Sequence, residues 1–156
     1  FLLIGPRHTE GRQAVTTDEI EQHAETVSFL GFRTDIGQLL AGSDIFALPS
    51  YNREGIPRSL MEAGAAGLPL ITTNMPGCRE VVKDRWNGYL IPPRDTRSLT
   101  DAILRLVASK EQRTRMGDRS RKRVFDHFDI ERVVDAHIAV YSELLSATDD
   151  RLRKAA

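Results

Sequence analysis

The chain has 156 residues, which is enough for one domain with a buried core. Its 22 basic and 22 acidic residues cancel, so no overall field draws it to nucleic acid or to an anionic membrane, and we expect no nucleic acid partner. Cys78 is the only cysteine, which excludes a disulfide framework and favours a reducing compartment.

Short strand-like runs alternate with helical segments through the first part of the chain. The predicted order is strand Phe1–Gly5, helix Thr17–Glu25, strand Val27–Phe29, helix Asp35–Ala41, strand Asp44–Leu48, helix Pro57–Ala66, strand Leu70–Thr73 and strand Tyr89–Ile91. Strands of this length separated by helices predict βαβ units, a parallel sheet and right-handed crossovers. Because the chain opens abruptly on a strand-like run, we interpret it as a fragment of something longer.

The remainder of the chain is predicted to be helical. Apolar residues recur at helical spacing over Asp95–Ser109 and Ile130–Leu145, with the arginine-rich segment Glu111–Phe128 between them. Residues 147–156 have little to bury and are predicted to be a frayed tail. No apolar run approaches the roughly 20 residues needed to span a bilayer. The predicted fold class is α/β, a Rossmann-like parallel sheet with flanking helices, in one domain over residues 1–146.

The segment between the third and fourth predicted strands carries the candidate site. Proline is favoured at the first helical position, so we expect a helix to begin at Pro57 with Glu54 on the loop before it. The amides of Arg58 and Ser59 would then face an anion at the carboxyl edge of the sheet. Glu62 would lie about 7.5 Å further along the axis, close to the distance from a diphosphate to a ribose. An anion with one carboxylate on each side predicts a nucleotide-sugar site.

The two glutamates also form a recognisable motif. The E-x7-E pattern of Glu54 and Glu62, within PSYNREGIPRSLMEAGAAGLPLITTNMPGCREVV, resembles the signature of the retaining glycosyltransferases of family 4, which have the GT-B fold. The segments VSFLGF, DIFALPS, NGYLIPPRD and FDIERVV…VY match as well. The resemblance runs from Phe1 to Leu145 and is to the C-terminal, donor-binding half of such enzymes. It is greatest to bacterial members that build surface polysaccharides or lipid-linked oligosaccharides.

The resemblance implies a role for each matching residue. Glu54 would contact sugar hydroxyls near the reacting carbon, as a catalytic residue that acts by positioning and electrostatic support rather than as a covalent nucleophile. Glu62 would hold the ribose hydroxyls, and the amides of Arg58 and Ser59 would contact the diphosphate. The donor-binding set is completed by Gly55, Ile56 and Pro57, and by Gly31, Phe32 and Arg33, whose backbone groups would meet the base. The family transfers sugar without a metal, so no metal site and no cofactor are expected.

Three functions stay open at this point. The first is transfer of a sugar from a nucleotide-sugar, with UDP the expected nucleotide, to a glycan or lipid-linked acceptor bound by a separate N-terminal domain. Such an enzyme would be cytoplasmic, at most at the inner face of the membrane, with peripheral membrane contact only through that other half. The second is a nucleotide-sugar 2-epimerase of the same fold, although E-x7-E is not the pattern of such enzymes. The third is a non-catalytic nucleotide-sugar binding module.

The resemblance also predicts a break in the sheet. A Rossmann-like sheet has strand order 3-2-1-4-5-6. By resemblance, Phe1–Gly5 is the second strand and Asp44–Leu48 the fourth, so the first strand would lie outside the sequence. We therefore expect a gap, or an unusual direct pairing, between these two strands. Unpaired strand edges also predict that the 156 residues alone are marginally stable or prone to aggregation.

Several other features are interpreted as structural. Gly64–Gly67 is expected to allow close helix–sheet packing rather than to form a phosphate loop, and Cys78 to be a small buried hydrophobe. The spacing of the four histidines does not match a metal site. His8 follows a strand-ending Gly–Pro, so the alternative that His8 faces the cleft stays open. We interpret Arg113–Arg123 as a solvated helix face rather than as a basic patch that binds a membrane-linked acceptor.

Overall fold

The structure, a computed structural model, describes residues 1–6, 16–53 and 55–155, with side chains described through residue 146. His8 and Glu54 therefore lie outside the described residues. The strands are β1 (Leu2–Ile4), β2 (Ser28–Gly31), β3 (Phe46–Leu48), β4 (Leu70–Thr73) and β5 (Gly88–Ile91). The helices are α1 (Thr17–Glu21), α2 (Ile36–Ala41), α3 (Arg58–Ala65), α4 (Cys78–Val81), α5 (Thr96–Ala108), α6 (Lys110–His127) and α7 (Ile130–Ala155). The chain divides into two compact units, Phe1–Leu39 and Leu40–Ala156.

All strand pairs are parallel, and the described strands form two sheets. The first has the order β1-β2 and the second the order β3-β4-β5. Among the described residues β1 does not pair with β3, so the direct pairing expected as one alternative is not present. The prediction of a parallel α/β fold with flanking helices is confirmed.

The first unit contains β1, β2 and α1. Leu2, Leu3 and Ile4 in β1 are 52%, 43% and 37% exposed, so neither face of this strand is fully buried. Helix α1 begins with a capping box, in which Glu19 accepts from the Thr16 amide and Thr16 Oγ1 accepts from the Glu19 amide. The hydrogen bonds from Thr16 lower the pKa of Glu19.

The second unit has its core on β4, whose four residues are all buried. The central cluster joins the sheet to α5 and α6 and consists of Ile71, Ile91, Ala102, Leu106 and Met116. Full burial of side chains such as Ile71 and Leu106 contributes about 1.5–3 kcal/mol each. Cys78 is buried here, as the sequence predicts.

Glycines bring α3 and α6 into close contact. A Cβ built on Gly64 would lie 2.7 Å from Val124 Cγ2 in α6. A Cβ on Gly117 would lie 2.0 Å from the carbonyl oxygen of Gly67, just beyond the end of α3. Real Cβ atoms do not approach so closely, so both positions require glycine for packing. The segment Gly64–Gly67 was predicted to pack a helix closely against the sheet, but its close contacts are with helix α6 instead.

The prediction that Arg113–Arg123 is a solvated helix face is wrong for three arginines of α6. Their guanidinium groups donate to backbone carbonyls: Arg113 to Leu106 and Val107 (2.8 and 3.0 Å), Arg119 to Trp86 (3.2 Å), and Arg123 to Val81 and Glu80 (2.9 and 2.5 Å). The last carbonyls of a helix have no partner within that helix. The side chains of Arg113 and Arg123 supply partners at the ends of α5 and α4, which fixes these helices to α6.

Helix α1 ends at Glu21, four residues before the predicted end at Glu25, and two further helices differ from prediction. Helix α4 was not predicted; Gly77 precedes it with a φ of 88°, and the Glu80 carboxylate accepts from the Gly77 amide at 3.0 Å. Helix α7 continues to Ala155, whereas a tail was predicted from residue 147. The added residues are mostly strong helix formers such as Ala, Leu, Arg and Lys, which favour continuation of the helix.

Candidate functional site

The loop between β3 and α3 is held by hydrogen bonds from β4 where it leaves the sheet. Thr72 Oγ1 donates to the carbonyl of Leu48 at 2.8 Å, and Thr73 Oγ1 donates to the carbonyl of Ser50. Both threonines are completely buried in β4, so these bonds are shielded from water. The loop therefore begins from a fixed point at the carboxyl edge of the sheet, which is where ligands bind in open α/β folds.

Helix α3 begins at Arg58, one residue later than predicted. Pro57 is buried and forms the N-cap with φ −66° and ψ 121°, an extended conformation that places it outside the helix. Its carbonyl accepts from the amides of Leu60 and Met61 at 3.2 and 3.3 Å. Within the described part of the chain, the amides of Arg58 and Ser59 have no hydrogen-bond partner. Two N–H donors and the positive end of the helix dipole thus lie together.

Glu62 lies one turn into α3, on its solvent-facing side. The opposite side of the helix is buried through Leu60, Ala63 and Gly64. The Glu62 side chain is 47% exposed, and its Oε1 lies 3.9 Å from the guanidinium of Arg58, whose side chain is 87% exposed. A pair this exposed is worth less than about 0.5 kcal/mol, so the carboxylate is available to a ligand.

Some of the predicted donor-binding residues lie next to one another at the start of α3. Gly55 and Ile56 are exposed at the turn before Pro57, next to the Arg58 and Ser59 amides. The place of Glu54 lies outside the described residues, so its role stays a prediction.

The predicted base-contacting residues lie in the unit Phe1–Leu39. Gly31 ends β2 with a φ of 65°, a conformation that glycine adopts readily. Phe32 is 76% exposed. The Arg33 guanidinium donates to both Asp35 carboxylate oxygens at 2.8 and 2.5 Å, which raises the pKa of Arg33 and lowers that of Asp35. The Arg33 side chain is therefore engaged with Asp35, while the backbone of this turn is the part predicted to meet a base.

Sequence reasoning missed a contact at the carboxyl edge. The guanidinium carbon of Arg94, in the loop after β5, lies 4.6 Å from the centre of the Tyr51 ring, in the loop after β3. The two residues are far apart in the chain, and only the order β3-β4-β5 brings their loops together.

Over residues 1–6, 16–53 and 55–146, no three His, Cys, Asp or Glu side chains are grouped so as to hold a metal ion. None of the helices in these ranges combines the length and the apolar composition that crossing a bilayer requires.

A family model matches most of the chain and identifies its family. The family described as Glycosyl transferases group 1 matches residues 2–123, which include both sheets and the whole of α3. This chain belongs to the group 1 glycosyltransferases.

Curated relatives of this group 1 glycosyltransferase chain are bacterial. It is 33% identical over 147 residues to the N-acetyl-alpha-D-glucosaminyl L-malate synthase of Bacillus anthracis, covering 93% of this chain and 38% of that protein. It is 34% identical over 116 residues to the UDP-Gal:alpha-D-GlcNAc-diphosphoundecaprenol alpha-1,3-galactosyltransferase of Escherichia coli, covering 74% and 30%. The chain thus spans about two fifths or less of the length of these relatives.

Solved structures share the fold. Anabaena HepE, crystallised with UDP, superimposes with a TM-score of 0.83 at 24% identity, over 91% of this chain and 40% of that one. The sucrose-phosphate synthase of Thermosynechococcus elongatus gives a TM-score of 0.81 at 25% identity, over 94% and 38%. The group 1 glycosyltransferase chain therefore has the Rossmann-like fold found in GT-B glycosyltransferases, as the sequence predicts.

Proposed function

We propose that the protein containing this chain transfers a sugar from a UDP-sugar to a glycan or lipid-linked acceptor, with retention of configuration. The start of α3 carries this proposal: the Arg58 and Ser59 amides have no partner among the described residues, and the half-exposed Glu62 carboxylate follows one turn later. The names of the relatives support it, since one is a UDP-Gal galactosyltransferase acting on a lipid diphosphate, and HepE was crystallised with UDP.

The donor would bind along α3. The two amides and the helix dipole, equivalent to about half a positive charge, hold the diphosphate. The Arg58 guanidinium, 3.9 Å from Glu62, adds a full positive charge beside the phosphates. Glu62 accepts hydrogen bonds from the ribose hydroxyls, and hydrogen bonds to a charged group contribute about 1.5–3 kcal/mol.

The same donors would assist the chemical step. As the bond from the sugar carbon to the diphosphate oxygen breaks, negative charge grows on that oxygen, and fixed N–H donors stabilise it. The acceptor oxygen attacks the carbon from the same face and forms the new glycosidic bond, while its proton passes to the departing phosphate. In this proposal Glu54 positions the sugar and supports positive charge at the reacting carbon.

The acceptor is assigned to the rest of the protein. We give no described residue of this chain an acceptor-binding role, and any membrane contact would be made by the other half of the protein. The single cysteine supports a cytoplasmic location, where thiols stay reduced.

The full-length protein tests this function. UDP release is measured for a panel of UDP-sugars with and without lipid-linked sugar acceptors, and the anomeric configuration of the product is read by NMR. Acceptor-dependent UDP release with a retained anomer supports the proposal. Interconversion of UDP-sugars without acceptor would show an epimerase, and binding of UDP-sugars without turnover would show a binding module. Absence of both binding and turnover refutes donor use altogether.

A further inference from the structure

Arg94 and Asn74 both lie at the carboxyl edge of the sheet β3-β4-β5. Thr73 pairs with Ile91 at the last register position of β4 and β5, and the Asn74 amide donates to the Ile91 carbonyl at 2.9 Å. Asn74 is therefore the first residue beyond β4, and Arg94 comes shortly after the end of β5. This edge of an open parallel sheet is where ligands bind.

The Arg94 guanidinium is held at the end of the middle strand. Its carbon lies 4.6 Å from the centre of the Tyr51 ring, in the loop after β3, and β4 lies between β3 and β5. The contact therefore spans the end of the strand that Asn74 follows. A cation–π contact uses the charge of a guanidinium and occupies none of its N–H donors with a hydrogen bond.

The polar groups of both side chains are available to a ligand. Within the ranges that the structure describes, the Arg94 guanidinium makes no hydrogen bond and no ion pair, and the Asn74 side-chain amide makes no hydrogen bond. Both residues are exposed. Other arginines of the same unit, such as Arg113 and Arg123, donate to backbone carbonyls instead. A guanidinium without a counter-charge, beside an amide that can donate, suits an oxyanion.

The backbone holds Arg94 in one conformation. Its φ is 61°, in the left-handed region that residues with a Cβ avoid. Pro92 and Pro93 precede it with φ fixed by their rings. Asp95 follows it as the N-cap of α5, and its carboxylate accepts from the Ser98 amide at 3.0 Å and from Ser98 Oγ at 2.6 Å. Backbone strain of this kind persists where the surroundings enforce it, and it is common at functional sites.

We propose that Arg94 and Asn74 form a subsite for an oxyanion group of a substrate, a carboxylate or a phosphate, at the carboxyl end of β4. Two parallel N–H donors of the Arg94 guanidinium fit either group, and the Asn74 amide donates a further hydrogen bond. The inference rests on the proposed function, which places sugar transfer at this edge. The diphosphate of UDP is assigned to the start of α3 and is not the group bound here.

Two substrate groups have this chemistry. One is the carboxylate of an acidic donor sugar, which would make the donor a UDP-uronic acid. The other is the phosphate of a lipid-linked acceptor, which would give this chain a contact with the acceptor as well as with the donor. The experiment below has one arm for each source.

Glycine substitution removes the Arg94 side chain without disturbing the backbone. Arg94→Gly keeps the φ of 61°, which glycine adopts without strain. Arg85→Gly is the matched control, because Arg85 is also exposed and has a φ of 58°, but lies before β5 at the amino edge of the sheet. Asn74→Ala removes the second proposed donor.

Calorimetric titration of the full-length protein compares charged ligands with uncharged counterparts. The donor arm uses UDP-glucuronic acid against UDP-glucose. The acceptor arm uses geranyl diphosphate against geraniol, with excess UDP present so that the start of α3 is occupied. In at least one arm we expect wild type to prefer the charged ligand by about tenfold or more, and that arm identifies the source. Arg94→Gly should reduce the preference to about twofold or less, Asn74→Ala should reduce it in part, and Arg85→Gly should retain it.

Three results would overturn the inference. The first is no preference for the charged ligand in either arm with wild type. The second is a wild-type preference in Arg94→Gly. The third is a loss of affinity for UDP alone in Arg94→Gly as large as the loss for the charged ligand, which would place the arginine at the diphosphate instead. If UDP and both UDP-sugars fail to bind wild type, the proposed function fails, while the geranyl pair still tests the subsite.

Discussion

Replacing Glu62 with alanine removes the carboxylate that we assign to the ribose hydroxyls. The change should cost the folded chain little, because the side chain is 47% exposed and its partner Arg58 is 87% exposed and 3.9 Å away. Alanine is also the best helix former, so α3 itself is not weakened. Any large effect must therefore come from the ligand.

The expected loss follows from the hydrogen bond that a ribose hydroxyl donates to a charged acceptor. Hydrogen bonds to a charged group contribute about 1.5–3 kcal/mol, which corresponds to a weakening of UDP binding of about 10- to 150-fold. The loss of the Arg58 pair contributes at most about 0.5 kcal/mol to stability.

Calorimetric titration of the full-length protein with UDP measures this effect. Glu111→Ala is a matched control, because Glu111 is also an exposed glutamate, paired (i,i+4) with Arg115 at 3.8 Å, but on α6. We expect the control to bind UDP as wild type does. A Glu62→Ala variant with unchanged UDP affinity would refute the ribose assignment, and an equal loss in Glu111→Ala would point to a general electrostatic effect.

Three further predictions concern other parts of the chain. Glu54→Gln should lower turnover tenfold or more, over about 1.4 kcal/mol, with UDP affinity nearly intact in titration; an equal fall in UDP affinity would contradict its sugar role. Gly117→Ala should destabilise the fold by about 1–3 kcal/mol in urea unfolding, because its Cβ would meet the Gly67 carbonyl, whereas Gly37→Ala, with open space around it, should not. Hydrogen bonds from Ser98 lower the pKa of Asp95, so its carboxylate stabilises the fold above its unfolded pKa of about 4, and this is lost as pH falls through the folded pKa. In melting curves, the advantage of wild type over Asp95→Asn should therefore stay constant down to about pH 5 and shrink as the pH falls below about 4.

Local patterns were enough to place most of the strands and the start of α3. Strand β4 has the predicted bounds because apolar and β-branched residues fill the interval between Pro69 and Asn74. The Gly–x–Pro turn located the start of α3 to within one residue. Helix α4 escaped prediction because four residues show no periodicity, and its start depends on the positive φ of Gly77.

Contacts between distant segments could not be read from the sequence. The arginines of α6 bind carbonyls only because α4 and α5 end beside them, and an arginine-rich run looks the same whether it is solvated or bonded. The Arg94–Tyr51 contact depends on strand order, which places the two loops at one edge. Thr72 and Thr73 look like ordinary strand residues until their carbonyl partners, Leu48 in β3 and Ser50 in the loop after it, are known.

The glycine contacts between α3 and α6 bear on the speed and entropy of ligand capture. With Gly64 against Val124 and the end of α3 against Gly117, α3 cannot tilt without moving α6 as well. The amides at its start are therefore held in place before any anion arrives, and little ordering entropy is lost on binding. Association then need not wait for a rearrangement of this helix, and ligands that differ only in their contacts with α3 should differ chiefly in how fast they leave.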